Sequence, residues 1–441
     1  MSAIFVFYRL STMSSTTTSK VILRPRPYDK FSGRLMLLPL LPIRKPPVHL
    51  PSEVWARILD YVLDDTRETA EAWNLLLVNK ELKEIALPLL YHTIRISHLS
   101  SLDKLYKHLH ECDEKWDSIR RIPYSAPGRW VQVLDLSQLE FTGRAQALKL
   151  DSLLTQLFPL LPHLAKLSLN PSFVMSRRPI LALADRWESQ HLRSLCGITY
   201  VPSATGQDEP ILKLVASCPN LEELEVIGGG PDPTELDFAS SVVDESIVKT
   251  LNLPHLHTLS LISLHHSTLL MSLLQSPLPS LRKLTVTPYD DVPFPASLVS
   301  QLIFTHGREL KSLLLFTPKS WPTRLHPSPV DLLSTCPQLR HLSLENPLPV
   351  LRLEPGATHP LRMLSIPRPA SDWWPVLEKL LPRLPELCVL RMRDVRWLRK
   401  GVAGRAQEAG LQGQMKAWGK RLARYHIQVV DADWKSMADR A

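Results

Sequence analysis

Histidine, cysteine and carboxylate side chains crowd one short stretch, His108, His110, Cys112 and Asp113, and such donors are the raw material of a metal centre. The surrounding residues have helical periodicity, however, and on a helix positions i and i+2 point apart, so the four donors cannot converge on one ion. His255, His257 and His265-His266 fall near expected strands, where residues two apart share a face, but a third ligand has no candidate there. Gly228-Gly229-Gly230 lacks the following Lys-Ser/Thr of a phosphate loop and reads as the start of an acidic surface loop with Asp232, Glu235, Asp237, Asp244 and Glu245. The five cysteines, Cys112, Cys196, Cys218, Cys336 and Cys388, form no C-x-x-C pair and read as reduced thiols, with Cys218 and Cys336 in equivalent packing positions. No nucleophile elbow, zinc-protease helix, Walker loop or dinucleotide fingerprint occurs in the sequence. The expectation is a chain that binds and does not catalyse, with no cofactor and no metal.

What would position a binding surface is then a matter of the elements. The 441 residues, 44% hydrophobic and 22% charged, have the balance of a globular chain with room for two or three domains. Glycine is scarce, at 15, and proline abundant, at 39, which disfavours glycine-turned hairpins and favours short elements stopped by proline. No apolar run reaches membrane-spanning length, since the stretch from Leu35 to Leu41 is short and carries Pro39; cytoplasm or nucleus is the expected location, with no membrane partner. The net charge of +9 raises the question of nucleic acid, but most basic residues are dispersed among acids, so nucleic acid is not the expected partner. The exception is Arg391 to Arg424, a basic stretch for which an anionic partner stays open.

Residues 1–47 are Ser/Thr-rich, poor in acids and broken by Pro25, Pro27, Pro39 and Pro42, and read as a disordered lead-in, with a mitochondrial leader as the alternative. Residues 48–92 read as three short helices. Ser52 caps the first, with Val54, Trp55, Ile58, Leu59, Val62 and Leu63 on one face; Asp65 and Glu68 form a capping box for the second, with Ala70, Trp73, Leu76 and Leu77 as its stripe. Asn79 caps the third, which carries Leu82, Ile85, Ala86, Leu89 and Leu90 and should end or kink near Leu87 because of Pro88. A bundle of this size hides little apolar surface by itself, so such wide stripes imply a partner.

Leu50-Pro51, Glu53-Val54, Ile58-Leu59 and the Leu77-Val78-Asn79-Lys80 run before Leu82 and Ile85 stand in an order that resembles an F-box, in the version common in fungal F-box proteins. The resemblance implies docking onto a Skp adaptor, and through it a cullin, with Leu50, Pro51, Val54, Ile58, Leu59, Val78 and Leu82 at or beneath the docking face. An ordinary helical core would use leucines at the same spacing.

From residue 130 onward the chain repeats L-x-x-L-x-L, with copies at Leu164, Leu221, Leu256, Leu281, Leu310, Leu339, Leu361 and Leu387, a first at Val131, and a degenerate one at Leu192 and Leu195 with Gly197 in the sixth place. The interval runs from 22 residues (Leu339 to Leu361) to 35 (Leu221 to Leu256), and helical stretches lie between the copies. Each unit has one apolar edge and buries it by stacking, which predicts an α/β architecture: the three-helix F-box, then over 93–405 a right-handed leucine-rich-repeat solenoid with a parallel sheet inside and helices outside, then a cap over 406–441. The region resembles the irregular leucine-rich repeats that follow F-boxes in many receptors.

With positions one, four and six inward, positions three, five and seven line the concave sheet face, and Lys166, Glu223, Glu225, Lys283, Leu314, Phe316, His341, Arg391 and Arg393 become the candidate substrate-binding residues. Phe316 would serve as an apolar anchor or pack under the loop from Trp321 to Pro329. The expected function is a substrate-recognition adaptor of a Skp–cullin–F-box ubiquitin ligase that binds a protein substrate; the alternative is a non-ligase interaction scaffold using the same repeats.

Overall fold

The computed structural model describes residues 50–66, 74–114, 126–186, 188–201, 209–228, 249–264, 267–288, 298–318, 328–397 and 410–436. The chain forms two compact units, Met1–Ser52, of which residues 50–52 are described, and Glu53–Ala441.

Helix α1 (Ser52–Thr66) opens the described chain, followed by a 3-10 turn at Leu75–Leu77 and helix α2 (Lys80–His92). Asn79 caps α2 as its sequence position requires, its side-chain oxygen accepting the Leu82 N–H at 2.6 Å. Two expectations need correction. Helix α1 runs through Asp65 to Thr66, so Asp65 does not start a second helix; neither glycine nor proline interrupts the run, and residues 67–73, with Glu68, Ala70 and Trp73, lie outside the described residues. Pro88 sits inside α2 and does not end it. A proline in a helix interior costs about 3 kcal/mol; around it Ala86 is buried and Tyr91 packs against the repeat core.

Among the described residues the repeats build a single sheet of twelve strands. Its strands are β1 (Thr93–Arg95), β2 (Val133–Leu136), β3 (Lys166–Leu169), β4 (Ser194–Tyr200), β5 (Glu223–Gly228) and β6 (Thr258–Ile262), then β7 (Lys283–Val286), β8 (Ser312–Leu315), β9 (His341–Ser343), β10 (Met363–Ile366), β11 (Val389–Met392) and β12 (Gln428–Val430). All twelve lie in sequence order, and every neighbouring pair is parallel. Order and direction together make this a solenoid, because each parallel pairing needs the chain to cross back outside the sheet.

Helices supply most of those crossovers: α3 (Leu99–Glu114), α4 (Gly143–Leu157), α5 (Arg177–Ala184), α6 (Pro210–Ala216), α7 (Thr268–Gln275), α8 (Leu298–His306), α9 (Leu332–Thr335), α10 (Trp374–Leu380) and α11 (Leu411–Leu422). The fourth-position residues Leu134, Leu167 and Leu195 pair across β2 to β4, and Leu224, Leu259, Leu284, Leu313, Leu342, Leu364 and Leu390 continue the row to β11. Each of these leucines is at most 1% exposed, and at about 2 kcal/mol per buried leucine the row alone is a principal source of cohesion. The core runs without a break from Ile96 to Val429. Leu59, Leu63 and Ala86 are buried as well but stand outside that cluster.

Gly197 does not hold the sixth place of its repeat. The register shifts between Leu195 and Ile198, and Ile198 takes the inward place opposite Val226. Gly197 sits in the bulge at φ +70°, where an added Cβ would lie 2.2 Å from the Leu169 carbonyl oxygen, so glycine is required there. The C-terminal segment extends the repeat pattern: β12 pairs with β11 while Met415, Trp418 and Leu422 of α11 are buried, with the Trp374 and Trp418 rings 5.0 Å apart at 70°. Among the described residues no helix is long and apolar enough to cross a membrane.

Candidate functional site

The described chain presents two surfaces suited to binding. The first belongs to α1. With 3.6 residues per turn, Val54, Ile58, Tyr61 and Val62 share one side of the helix, and they are 41%, 41%, 80% and 43% exposed, while Leu59 and Leu63 on the other side are buried. Leu77 and Val78, at the turn before α2, are 54% and 63% exposed. Of the residues proposed from the sequence, Pro51, Val54, Ile58 and Val78 are thus at the surface, Leu50 and Leu82 are half-buried, and Leu59 is buried.

The second surface is the sheet face turned away from the core. Register places Lys166, Ser194, Glu223, Thr258, Lys283, Ser312 and His341 in one row from β3 to β9. A second row takes Glu225, Ser260, Thr285, Leu314, Ser343, Ser365 and Arg391 from β5 to β11. At the β3–β5 end Glu223 accepts the Ser194 hydroxyl at 2.8 Å and lies 4.0 Å from the Lys166 ammonium, while Glu225 accepts the Gly197 N–H of the bulge at 3.1 Å. Cys196 lies in the same area, its thiol pushed up by burial.

The β7–β11 end is different. His341 is held between the Ser312 hydroxyl and the Ser365 hydroxyl, both at 3.2 Å. Burial first, and then the charges of Arg391, Lys283 and Arg393, push its pKa down to about 4, so the imidazole is neutral at physiological pH. Leu314 is half-buried beside it, and Phe316 is 43% exposed. Of the loop from Trp321 to Pro329, under which Phe316 packs in the alternative reading, residues 321–327 lie outside the described residues.

Arg391 and Arg393 share this face but make internal contacts. Arg393 donates to the Leu315 and Leu344 carbonyls and to the Glu345 carboxylate, each at 2.9 Å, so it reaches from the end of β11 across β10 to the ends of β8 and β9. Glu345 also accepts the Thr317 N–H at 3.3 Å and the Asn346 N–H at 3.1 Å, and the charged pair is largely buried. Arg391 donates to the Ala432 carbonyl at 2.7 Å and lies 4.2 Å from the centre of the Trp434 ring. Arg396 pairs with Asp433 at 3.2 Å, and the Arg421 guanidinium stacks 5.0 Å from the centre of the Trp374 ring. Of the basic run in the sequence, Arg391, Arg396 and Arg421 thus contact the C-terminal segment or its neighbours and Arg393 contacts β8 and β9, while Arg399, Lys400 and Arg405 lie outside the described residues. Lys283 remains at the surface beside His341 as an accessible cation.

Of the histidines considered as ligands, His108 contacts Cys112 at 3.8 Å and His110 contacts Glu114 at 3.3 Å, each with the residue four places on and on different sides of α3. His257 contacts Glu222 at 3.8 Å, and His265-His266 lie outside the described residues. A set not singled out from the sequence does converge: His163, Glu188 and His191 hold their ligand atoms within 4.8 Å of one another. Aligning the repeats would have shown it, since His163 and His191 each stand three residues before the paired strand residues Lys166 and Ser194.

No family model matches the sequence, and no curated protein does. Among solved structures, one that matches is the leucine-rich repeat-containing protein LegL7 from Legionella pneumophila, at 17% identity and a TM-score of 0.35, the match covering 64% of this chain and 89% of that one.

Proposed function

We propose that the chain is a non-enzymatic adaptor in which residues 48–92 act as an F-box on a Skp adaptor, and the open face of the repeat sheet holds a protein substrate for a cullin ubiquitin ligase. The observation that carries this reading is the helix face of Val54, Ile58 and Tyr61, exposed to solvent on a short helix whose opposite side is buried. Exposed apolar side chains clustered in this way favour a covering partner, and a specific interface of the standard size buries about 800 Å² on each side. The F-box resemblance of Leu50 to Ile85 names that partner. The substrate surface rests on Leu314 and Phe316, an apolar centre flanked by Lys283 and, toward β5, by Glu223 and Glu225, an arrangement in which the apolar group supplies affinity and the charges set orientation.

The test is affinity purification of the full chain from cells, scored for the Skp adaptor and cullin, beside a Val54→Asp, Ile58→Asp double variant. Both positions are exposed, so the variant keeps its repeat fold by circular dichroism while adaptor and cullin recovery falls by at least tenfold, which corresponds to about 1.4 kcal/mol or more. Undiminished recovery ends the F-box assignment; adaptor recovery without cullin would make the chain an interaction scaffold outside a ligase.

A further inference from the structure

We propose that His163, Glu188 and His191 form a binding site for a borderline transition-metal ion of the Zn²⁺ class, clipping the β3 repeat to the β4 repeat. This site is separate from both surfaces of the proposed adaptor function. Its geometry follows from the solenoid. Parallel pairing of Lys166 with Ser194 places the residues three positions upstream of each in adjacent units, and both are histidines. Each is anchored by the fully buried leucine that follows it, Leu164 or Leu192. Ladder bonds from Arg193 and Ser194 to the Ala165 carbonyl, at 2.7 and 3.0 Å, hold the two turns together.

Glu188 enters from the turn before β4 with a left-handed backbone, φ +61°, and its carboxylate oxygen Oε2 lies 2.9 Å from His163 Nδ1 and 3.1 Å from His191 Nε2. The two rings meet edge to face with centroids 5.5 Å apart. Donors around a tetrahedral zinc, at bond lengths of 2.0–2.1 Å, stand about 3.3 Å from one another. The three ligand atoms are already within 4.8 Å, a difference that small rotations of the two imidazoles close. In the metal-free arrangement both nitrogens face one carboxylate oxygen. When an ion enters between them, each neutral imidazole carries its proton on the ring nitrogen turned away and offers a lone pair, so the exchange needs no other reactant.

The donor set selects the ion. Two imidazoles and one carboxylate are too few oxygens for Ca²⁺ or Mg²⁺, whereas nitrogen donors suit Zn²⁺, Ni²⁺ and Cu²⁺. The guanidinium of buried Arg186 is fixed on the Leu164 carbonyl at 3.1 Å, so any dication entering beside Glu188 meets a positive charge that donor affinity has to outweigh. Side-chain exposure of 39% at His163, 38% at Glu188 and 55% at His191 leaves the ion open to solvent, with water completing its shell.

Isothermal titration of the metal-free full chain with ZnCl₂ tests this, alongside His163→Ala, His191→Ala, Glu188→Gln and, as a control histidine paired with a different carboxylate, His257→Ala. The expected result is one zinc per chain, an affinity lowered more than about tenfold by each of the first three changes and unchanged by the control, and a melting temperature that rises with zinc in the wild type and in the control but not in the other three variants. Cobalt substitution of the wild type gives a second readout, independent of how any variant folds: visible d–d bands without the near-ultraviolet thiolate-to-metal charge-transfer band, which separates this site from the free cysteines. Zinc binding that survives loss of both histidines, a thiolate band, equal binding of Ca²⁺, or no binding at millimolar zinc would each overturn the proposal.

Discussion

His341 shows how much a single position on the open face is governed by its neighbours. Its imidazole accepts or donates to Ser312 and Ser365 and faces Lys283, Arg391 and Arg393, so burial and like charge both resist a proton. The unfolded chain takes that proton near pH 6.5, the folded chain only near pH 4, and between these values the unfolded state binds more protons. The contribution of His341 is therefore complete above pH 6.5 and declines as pH falls toward 4. Urea unfolding at pH 7 and pH 5 should show a smaller loss of stability for His341→Gln than for the wild type; identical losses would mean that the imidazole is protonated without penalty. His306 and His359 are also held down by burial, and they account for part of the acid sensitivity that remains. At this scale the sequence was informative where a side chain acts locally, as Asn79 does on Leu82, and silent where it acts at long range. Arg391 and Arg393 stood in the binding stripe by register, and nothing in their local sequence announces that one reaches a residue 78 positions earlier and the other a segment 41 positions later.

Elements were legible in proportion to their repetition. The leucine template located the strands from β2 to β11 because the same inward positions recur, and prolines at Pro162, Pro219 and Pro337 mark the return of the chain toward the next strand. Helix α5 escaped notice: Ile180, Leu183 and Ala184 are buried, but they share a short segment with two arginines and Pro179, which dilutes the periodic signal. The bulge in β4 was unreadable for a related reason, since the template assumes fixed spacing and the inward residue had moved one place to Ile198. Two glycines give a test of that bulge. Gly197 and Gly143 both have positive φ, +70° and +74°, but a Cβ at Gly197 meets the Leu169 carbonyl oxygen at 2.2 Å while Gly143 has nothing within 4 Å. Gly143→Ala should cost about 1 kcal/mol from backbone conformation alone, and Gly197→Ala more than about 3 kcal/mol once the clash shifts β3 or β4. Denaturant titration compares the two directly; equal losses would mean that the bulge yields without strain.

Across the unit from Glu53 to Ala441, cohesion is passed from repeat to repeat along one core, so an exposed end is as consequential as a cavity in the middle. Strand β12 covers the hydrogen-bonding edge of β11, and α11 covers the apolar end with Met415, Trp418 and Leu422. Truncation after residue 397 should leave β11 as an open parallel edge above buried leucines, a template for association between chains. Size-exclusion chromatography of the truncated chain should show aggregation and a melting transition lowered and broadened relative to the full chain; a monodisperse, unshifted product would mean that the C-terminal segment is dispensable to the stack.

A coil of stacked strand–helix turns behaves as a spring, and its softest deformations splay the strand ends apart or draw them together. Arg393 acts as a stay across that spring. Because it grips β8 and β9 from the end of β11, any splay between these turns must stretch three hydrogen bonds together, and one bending mode of this half of the coil is stiffened. A ligand lying over Leu314, Phe316 and His341 thus meets a surface whose curvature is already set, and less motion is lost on binding. Toward β3 the contacts on the open face span fewer strands, the Lys166–Glu223 pair reaching from β3 to β5 at 4.0 Å.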